Sequence, residues 1–252
     1  YIGFNIYFRL KNNLIKFQNN NKIKKIENGY QAFSKSMIAI SNKNFKKAVV
    51  ESNKAEKLLS SKNSITLFLK SEIYKHQKKF SDLENVYEQM IKDHTLTPLG
   101  YKGMMELYLR NEDYHHALIY GEKLFQINPN IEKIYETLIQ IIGKTKNWQQ
   151  LINISKKAYK DKIIDKNIFN ENTSIAYYEI AQIQKDNSYS DALKNINKAI
   201  KLRENFSPYY LLLINLLIAN NDISRAKKEV KKLWKNNPNN QLIKPSLDIA
   251  SL

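Results

Sequence analysis

The side chains best suited to coordinate a metal or a haem are four histidines, His76, His94, His115 and His116. A zinc-protease helix places two histidines four residues apart with a glutamate beside the first, and no H-E-x-x-H segment occurs. His115 and His116 are adjacent, so on a helix their side chains point about 100° apart and do not chelate one ion. Because histidine is also an axial ligand of haem, direct haem binding stays open as an alternative.

Motifs of catalysis are missing from the chain. No Walker A segment, G-x-G-x-x-G turn or G-x-S-x-G nucleophile elbow occurs. The absence of cysteine excludes a thiolate nucleophile, a thiolate metal site and a disulfide framework. No nucleophile, base and orienting group can be placed together. We therefore predict a protein that is not an enzyme, with no catalytic, metal-binding or cofactor-binding residues.

The charge of the chain is strongly positive. Its 252 residues include 41 Lys and Arg against 24 Asp and Glu, a formal charge of +17. Such a charge attracts nucleic acid, anionic lipid or acidic proteins. No zinc finger, RNA-binding aromatic pattern or other nucleic-acid motif is present, so we expect no nucleic-acid partner. Lys, Asn and Ile are abundant throughout, which favours compositional drift together with a position close to a membrane.

The first residues are typical of the end of a membrane anchor. The opening segment YIGFNIYFRL is apolar and aromatic but shorter than the roughly 20 residues that span a bilayer. Six basic residues precede the first acidic one, Glu27: Arg9, Lys11, Lys16, Lys22, Lys24 and Lys25. A transmembrane helix leaves the bilayer in this way on the cytoplasmic side. We predict an anchor end with a juxtamembrane stretch over residues 1–27 and a separate domain over 28–252; the alternative is an amphipathic helix docked on that domain.

A seven-residue pattern recurs six times: a polar turn, a large apolar residue, and a small or apolar residue three positions later. The segments are NKNFKKA, QKKFSDL, NEDYHHA, TKNWQQL, DNSYSDA and NNDISRA. We call their last residues the register residues: Ala48, Leu83, Ala117, Leu151, Ala192 and Ala226. Their spacings are 35, 34, 34, 41 and 34 residues. A tetratricopeptide (TPR) unit is 34 residues long, so we predict an all-α, TPR-like α-solenoid of about six helix-turn-helix units in a right-handed superhelix.

Other positions of the unit agree with this register. The large residues that should begin the second helix of each unit are Phe45, Phe80, Tyr114, Trp148, Tyr189 and Ile223. The packing positions seven residues after the register residues are Ala55, Met90, Leu124, Ala158, Ala199 and Leu233. Asp113 and Asp222 are placed to cap helices, and Pro129 and Pro238 to end them. The 41-residue spacing predicts about seven extra residues near 161–172, in a longer second helix or a loop.

The first helices of the units line the inner groove of such a solenoid. In the 34-residue register the predicted partner-binding groove consists of Glu72, Lys75, His76, Lys102, Glu106, Arg110, Lys133, Glu136, Gln140, Lys144, Tyr177 and Lys185, joined by Gln184 and Asn215. Cations outnumber anions in this set, which predicts a basic groove for an acidic protein segment or a propionate-bearing ligand. Lys102 and Arg110 could clamp a terminal carboxylate, but Glu106 would repel it. The alternative is a solvated face.

The segment Asn28–Leu59 resembles the opening of the HemY family of alphaproteobacteria, in which a basic stretch leads into G-Y-x-A-x-S-x-x-M-I-A and the first helix pair ends in A-x-K-L-L. The matching residues here are Gly29, Tyr30, Ala32, Ser34, Met37, Ile38, Ala39, Ala55, Lys57, Leu58 and Leu59. Further on, Leu99–Gly103 is similar to the family's L-G-x-R-G, with Lys102 in place of Arg. Residues 164–166 (IDK) and the pattern Asn221–Ala226, Trp234, Pro238 are also similar to it, with Asn in place of Gly.

This resemblance implies a TPR domain anchored in the bacterial inner membrane and a link to haem (tetrapyrrole) biosynthesis without an assigned activity. The basic stretch before Glu27 predicts that the repeat domain is cytoplasmic. The expected function is a scaffold or adaptor whose partners are proteins, tetrapyrrole-pathway enzymes among them. One alternative is a general peptide-binding adaptor for envelope assembly. The other is a carrier that binds haem or porphyrin directly.

Overall fold

A computed structural model describes residues 2–59, 64–131, 133–204 and 206–236; for residues 2–19, 234 and 236 it describes the backbone alone. These ranges contain twelve α-helices and no strand. The helices are α1 (Ile2–Ser41), α2 (Phe45–Leu59), α3 (Ser64–Gln77), α4 (Phe80–Lys92), α5 (Thr97–Arg110), α6 (Tyr114–Ile127), α7 (Ile134–Thr145), α8 (Trp148–Lys160), α9 (Lys166–Gln184), α10 (Tyr189–Leu202), α11 (Ser207–Ala219) and α12 (Ile223–Asn236). They form six consecutive pairs, and we call the odd-numbered member of a pair helix A and the even-numbered member helix B. The predicted all-α solenoid of helical repeats is confirmed.

The predicted register is confirmed position by position. Every helix B begins at the large residue predicted to begin it, from Phe45 in α2 to Ile223 in α12. All six register residues and all six residues seven positions later have at most 4% of their surface exposed. One face of each helix B must carry small or apolar residues in order to pack inside the repeat. The period of the repeat can therefore be recognised from the sequence.

Side-chain caps stabilise the start of several B helices. The predicted cap Asp113 accepts a hydrogen bond from the backbone N–H of His116 at 3.1 Å, and Asp222 accepts one from that of Arg225 at 3.2 Å. Asn44 does the same for α2 at 3.2 Å. At the other end, α6 stops at Ile127, two residues before Pro129. The second predicted stop, Pro238, lies outside the described residues.

The turn from helix A to helix B uses a left-handed backbone conformation in five of the six units. The residues, each five positions before a register residue, are Lys43, Lys78, Glu112, Lys146 and Asn221, with φ between 54° and 64°. In the fifth unit Asn187 holds the equivalent place and is not among the positive-φ residues. A side chain with a Cβ atom pays about 1–2 kcal/mol for this conformation, which glycine adopts freely.

The extra residues of the 41-residue spacing lie in helix A. We predicted a longer helix B or a loop there, and this is wrong, since α8 ends at Lys160 and has an ordinary length of 13 residues. The helix that follows, α9, has 19 residues. Its N-cap Asp165 accepts a hydrogen bond from the backbone N–H of Ile168 at 2.8 Å. That cap starts the helix early, so the insertion becomes helical.

The chain divides into two compact units, residues 1–127 and 128–252. We call them unit 1 (helices α1–α6) and unit 2 (helices α7–α12). The main core of unit 2 lies among α9, α10, α11 and α12, around the fully buried Tyr209 and Leu217. Unit 1 has one core around Met90 and Met104 and another between α1 and α2.

The contact of α1 with α2 is built from small residues. Ala32, Ser36 and Ala39 of α1 are at most 3% exposed, as are Ala48 and Ala55 of α2. The Ser36 hydroxyl donates a hydrogen bond to the Ala48 carbonyl at 2.9 Å. A Cβ atom on Gly29 would lie 2.6 Å from two carbon atoms of Leu59. The two halves of the opening motif, near Gly29 and near Leu59, therefore touch each other.

Helix α1 is continuous from Ile2 to Ser41, so it passes through the predicted boundary at residue 27. Residues 20–28 are exposed along it. The apolar opening and the first basic residues, Arg9, Lys11 and Lys16, have side chains outside the described part. No helix in that part combines the length and the apolar character needed to cross a bilayer.

Candidate functional site: two helix-A clefts

In unit 1 the helix-A residues of α3 and α5 line a cleft of about 130 Å³. It brings together four of the predicted groove residues: Glu72, Lys75, Lys102 and Glu106. The Glu106 carboxylate lies 3.6 Å from Lys75 Nζ and 3.9 Å from Lys102 Nζ. These half-exposed pairs are weak individually, but together they satisfy both cations. The formal charge of this cleft is zero, so the basic character predicted for the groove does not come from it.

The floor of the α3–α5 cleft is the aromatic ring of Tyr87, which packs against Gly103. Tyr87 of α4 is 6% exposed, and a Cβ atom on Gly103 would lie 2.3 Å from its ring. Burial, helped by the carboxylates of Glu106 and Glu72, raises the pKa of Tyr87 to about 12. The phenol is therefore neutral at physiological pH, with an apolar ring and a hydroxyl group that can form hydrogen bonds.

Two predicted groove residues of unit 1 contact helix-B aromatics instead of lining this cleft. His76 stacks on Phe45, the first residue of α2, with ring centroids 4.8 Å apart. The Arg110 guanidinium lies 4.6 Å from the ring centroid of Phe80, the first residue of α4. Arg110 thus lies beside helix B and is not among the residues that line the α3–α5 cleft with Lys102.

In unit 2 a larger cleft of about 620 Å³ lies between α9 and α11. Its lining is Tyr178, Gln182, Lys185, Asp186, Pro208, Leu211, Leu212, Asn215, Leu216 and Ala219. The predicted residues Lys185 and Asn215 are here, both exposed at the rim. The leucines form an apolar floor, and Gln182 donates a hydrogen bond to the Tyr178 hydroxyl at 2.8 Å. A wide apolar trough with a few polar groups at its edge suits an aliphatic side chain of a bound peptide.

The register identified the helix of this cleft but missed its main lining residues. The predicted Tyr177 faces α10, where Lys198 Nζ lies 4.8 Å from its ring centroid, and Tyr178 lines the cleft. Gln184 also faces α10 and accepts a hydrogen bond from Asn195 at 2.8 Å. Tyr177 and Tyr178 are adjacent, and one residue turns a helical side chain by about 100°, so the two rings face different neighbours. The run of leucines in α11 was the signal for the apolar floor.

The remaining predicted residues belong to α7. Glu136, Gln140 and Lys144 are spaced by four residues and are exposed along one face of this helix. Lys133 precedes the helix as its N-cap, in a left-handed conformation with φ of 61°. The structure does not bring these residues into either of the two clefts.

The four histidines lie in α3, between α4 and α5, and at the start of α6. Within the described ranges, no three of the His, Asp and Glu side chains are grouped so that they could hold an ion. His116 Nδ1 lies 2.7 Å from Asp113, and the His116 ring stacks on Tyr108 at 5.0 Å. The hydrogen bonds from His116 lower the pKa of the Asp113 carboxyl. These contacts stabilise the start of α6.

Helix pairs in a 34-residue register, with exposed clefts between successive A helices, define the class of this chain as a TPR-type α-solenoid. Solved structures agree at the level of the fold. A chain of a Naa15/Naa10 complex bound to HypK-THB has a TM-score of 0.60 and 16% identity, over 93% of this chain and 36% of its own. This chain thus spans about a third of that one.

Two smaller solved structures show weaker likeness. PilF of Pseudomonas aeruginosa has a TM-score of 0.44 and 14% identity, over 88% of this chain and 97% of its own. The TPR2AB domain of yeast Sti1, solved with an Hsp90 peptide, has a TM-score of 0.42 and 13% identity, over 88% and 96%. No protein-family model matches the chain. No curated protein matches it either.

Proposed function

We propose that this protein is a membrane-anchored TPR scaffold that binds segments of partner proteins through its helix-A clefts, and that its partners belong to haem biosynthesis. The α9–α11 cleft carries the binding part of the proposal. Its volume of about 620 Å³ is in the range of pockets that bury a ligand, and its floor is aliphatic. The exposed rim groups Lys185 and Asn215 offer hydrogen-bond donors to a peptide backbone or a carboxylate.

The link to haem biosynthesis is supported by the resemblance to HemY proteins in the opening motif. Packing explains part of that motif, since Gly29, Ala32 and Ala39 are needed for the close approach of α1 to α2. Packing does not explain Tyr30 and Ile38, which are 48% and 61% exposed. Exposed apolar members of a motif suit contact with a partner. The expected inner-membrane location follows from the same resemblance and from the basic residues before Glu27.

The test is site-specific photo-crosslinking of the full-length, membrane-anchored protein in cells. A photoreactive residue at Asn215 reports on the α9–α11 cleft, and the same residue at Asn197, exposed on α10, is the matched control. We expect tetrapyrrole-pathway enzymes to be captured at position 215 and not at 197. Ala219→Trp places a large ring in the cleft and should abolish this capture while leaving the helical circular dichroism unchanged.

Other results would redirect the proposal. Capture of unrelated envelope proteins at position 215 would identify a general assembly adaptor. If nothing is captured and added haem gives a shifted Soret band that His76→Ala or His115→Ala weakens, the protein is a haem carrier. A reporter joined after Leu252 that is active only in the periplasm would overturn the cytoplasmic orientation.

A further inference from the structure

The positive charge of unit 2 lies on one side of its B helices. In α8, α10 and α12 the register residue and the residues four and seven positions later are buried: Leu151, Ser155, Ala158, Ala192, Ile196, Ala199, Ala226, Val230 and Leu233. At 100° per residue, positions two, five, six and nine after the register residue lie about 140–240° from it. They point directly away from the buried face.

These outward positions are almost uniformly lysine. There are twelve of them in α8, α10 and α12, and ten are Lys, while the other two are Asn153 and Asn197. We call the ten the lysine ridge. They are Lys156, Lys157 and Lys160 of α8, Lys194, Lys198 and Lys201 of α10, and Lys228, Lys231, Lys232 and Lys235 of α12. No acidic side chain interrupts them at these positions.

Unit 1 provides an internal comparison. The same twelve positions in α2, α4 and α6 hold four Lys, two Glu and six uncharged residues. The two glutamates are Glu88 and Glu122. A lysine-rich composition acting uniformly would fill the equivalent surface of both units alike. The lysine ridge is therefore a property of the B helices of unit 2 and not of the chain as a whole.

Most of the ridge is uncompensated. Lys160, Lys201 and Lys235 occupy the ninth position of their helices, are exposed, and make no ion pair within the described ranges. Lys157 pairs with Asp161 at 2.8 Å, and Lys198 and Lys232 lie over the rings of Tyr177 and Tyr210. Like charges three or four residues apart destabilise a helix. The ridge thus costs stability in the free protein, and a counter-charged surface would relieve that cost.

We propose that the lysine ridge docks on an anionic lipid bilayer. Recognition of nucleic acid draws on arginine forks and on aromatic rings that stack with bases, and the ridge has neither. Binding to a fluid anionic bilayer requires only a high density of positive charge on the protein, because the anionic headgroups can move to match the positions of the lysines. This surface is separate from the helix-A clefts, so the inference goes beyond the proposed function.

The experiment measures sedimentation of the purified chain with vesicles of phosphatidylcholine alone or mixed with phosphatidylglycerol. We expect binding only to the mixed vesicles at 0.1 M salt and release at 1 M salt, where the Debye length falls from about 10 Å to about 3 Å. The ridge variant replaces Lys160, Lys201 and Lys235 by Gln. Each lysine near an anionic surface contributes about a factor of five, so this variant should bind about 100-fold more weakly.

Two control variants change the same number of charges elsewhere. Lys54, Lys57 and Lys92→Gln neutralises exposed outward positions of unit 1, and Lys22, Lys24 and Lys25→Gln neutralises the described basic part of α1. The proposal expects the unit 1 variant to bind within a few-fold of the parent, and the ridge effect to persist on top of the α1 variant. Matching circular dichroism and melting show that each variant is folded.

Three outcomes would overturn the proposal. The first is an equal loss in the ridge and unit 1 variants, which would indicate a diffuse charge effect. The second is absence of binding to the mixed vesicles. The third is preferential binding of a short RNA or DNA duplex over vesicles at equal phosphate concentration, lost in the ridge variant alone, which would assign the ridge to nucleic acid. None of these outcomes bears on peptide capture by the clefts, so the two proposals fail separately.

Discussion

One substitution, glycine to alanine, should have opposite effects at two helical positions. Gly103 lies in α5 under the α3–α5 cleft, and Gly143 lies in α7. A Cβ atom at Gly103 would meet three atoms of the Tyr87 ring at 2.3–2.6 Å, whereas one at Gly143 would have no neighbour within 4 Å. The added methyl group must therefore displace a buried ring in the first case and enters open space in the second.

The two effects can be estimated from these contacts. Alanine in a helix interior gains roughly 0.5–1 kcal/mol over glycine. Overpacking of a buried site costs about 1–3 kcal/mol, and contacts this short with a ring that is 6% exposed belong to the upper part of that range. Gly103→Ala should thus lower the free energy of unfolding by about 1–2 kcal/mol net. Gly143→Ala should raise it by about 0.5–1 kcal/mol.

Urea unfolding followed by far-ultraviolet circular dichroism measures both variants against the parent. Because repeat proteins can lose their units separately, amide hydrogen exchange should assign the Gly103 effect to α4 and α5. A further variant, Gly103→Ala with Tyr87→Leu, removes the ring and should recover most of the loss. Equal stabilisation by both glycine replacements would refute the packing of Tyr87 on Gly103 described here.

Three further predictions concern the turns and the tyrosines. Glu112→Gly and Lys78→Gly should each raise the free energy of unfolding by about 1 kcal/mol, because both residues have a positive φ. Asn187→Gly at the equivalent turn should give no gain. A melting temperature that does not rise in the first two variants would contradict this prediction. The Ser174 hydroxyl donates its only proton to the Glu171 carbonyl at 2.8 Å, so the Tyr209 hydroxyl donates to Ser174 at 3.0 Å. Tyr209→Phe removes this bond and should lower the free energy of unfolding, measured in urea, by about 1 kcal/mol. An unchanged urea midpoint would argue against the bond. Burial raises the pKa of Tyr87, and a hydrogen bond to Glu84 that of Tyr108, from 10.0 to about 12 in both cases. As the pH rises, these two phenols lose their protons in the unfolded chain before they do in the folded protein. Their contribution to stability should therefore be fully present below pH 10 and decline up to about pH 12. The phenolate absorbance of the folded protein should show a component near pH 12, which Tyr108→Phe diminishes.

The repeat could be predicted because its information is local. Register residues such as Ala117 and helix starts such as Tyr114 recur at a period of about 34 residues, since every helix B must pack a small or apolar residue inside its repeat. The caps Asp113 and Asp222 bond to residues three positions away, so they too could be predicted from the sequence. The clefts were predicted less well. Lys185 and Asn215 lie on the rim of the α9–α11 cleft, whereas Tyr177 and Arg110 contact helix B, because side-chain direction depends on which partner of the neighbouring helix lies within reach.

The sequence by itself determined the class of fold, the number of units and the helix starts, since period, turn and cap are properties of neighbouring residues. It also determined the total charge of +17, but not where that charge acts. Only the tertiary structure decided that the Glu106 carboxylate of α5 lies beside Lys75 of α3 inside the predicted basic groove, and that Lys160 and Lys201 make no ion pair with any other described residue. The reason is that pairing of charges depends on distances between residues far apart in the chain, which folding alone brings within reach.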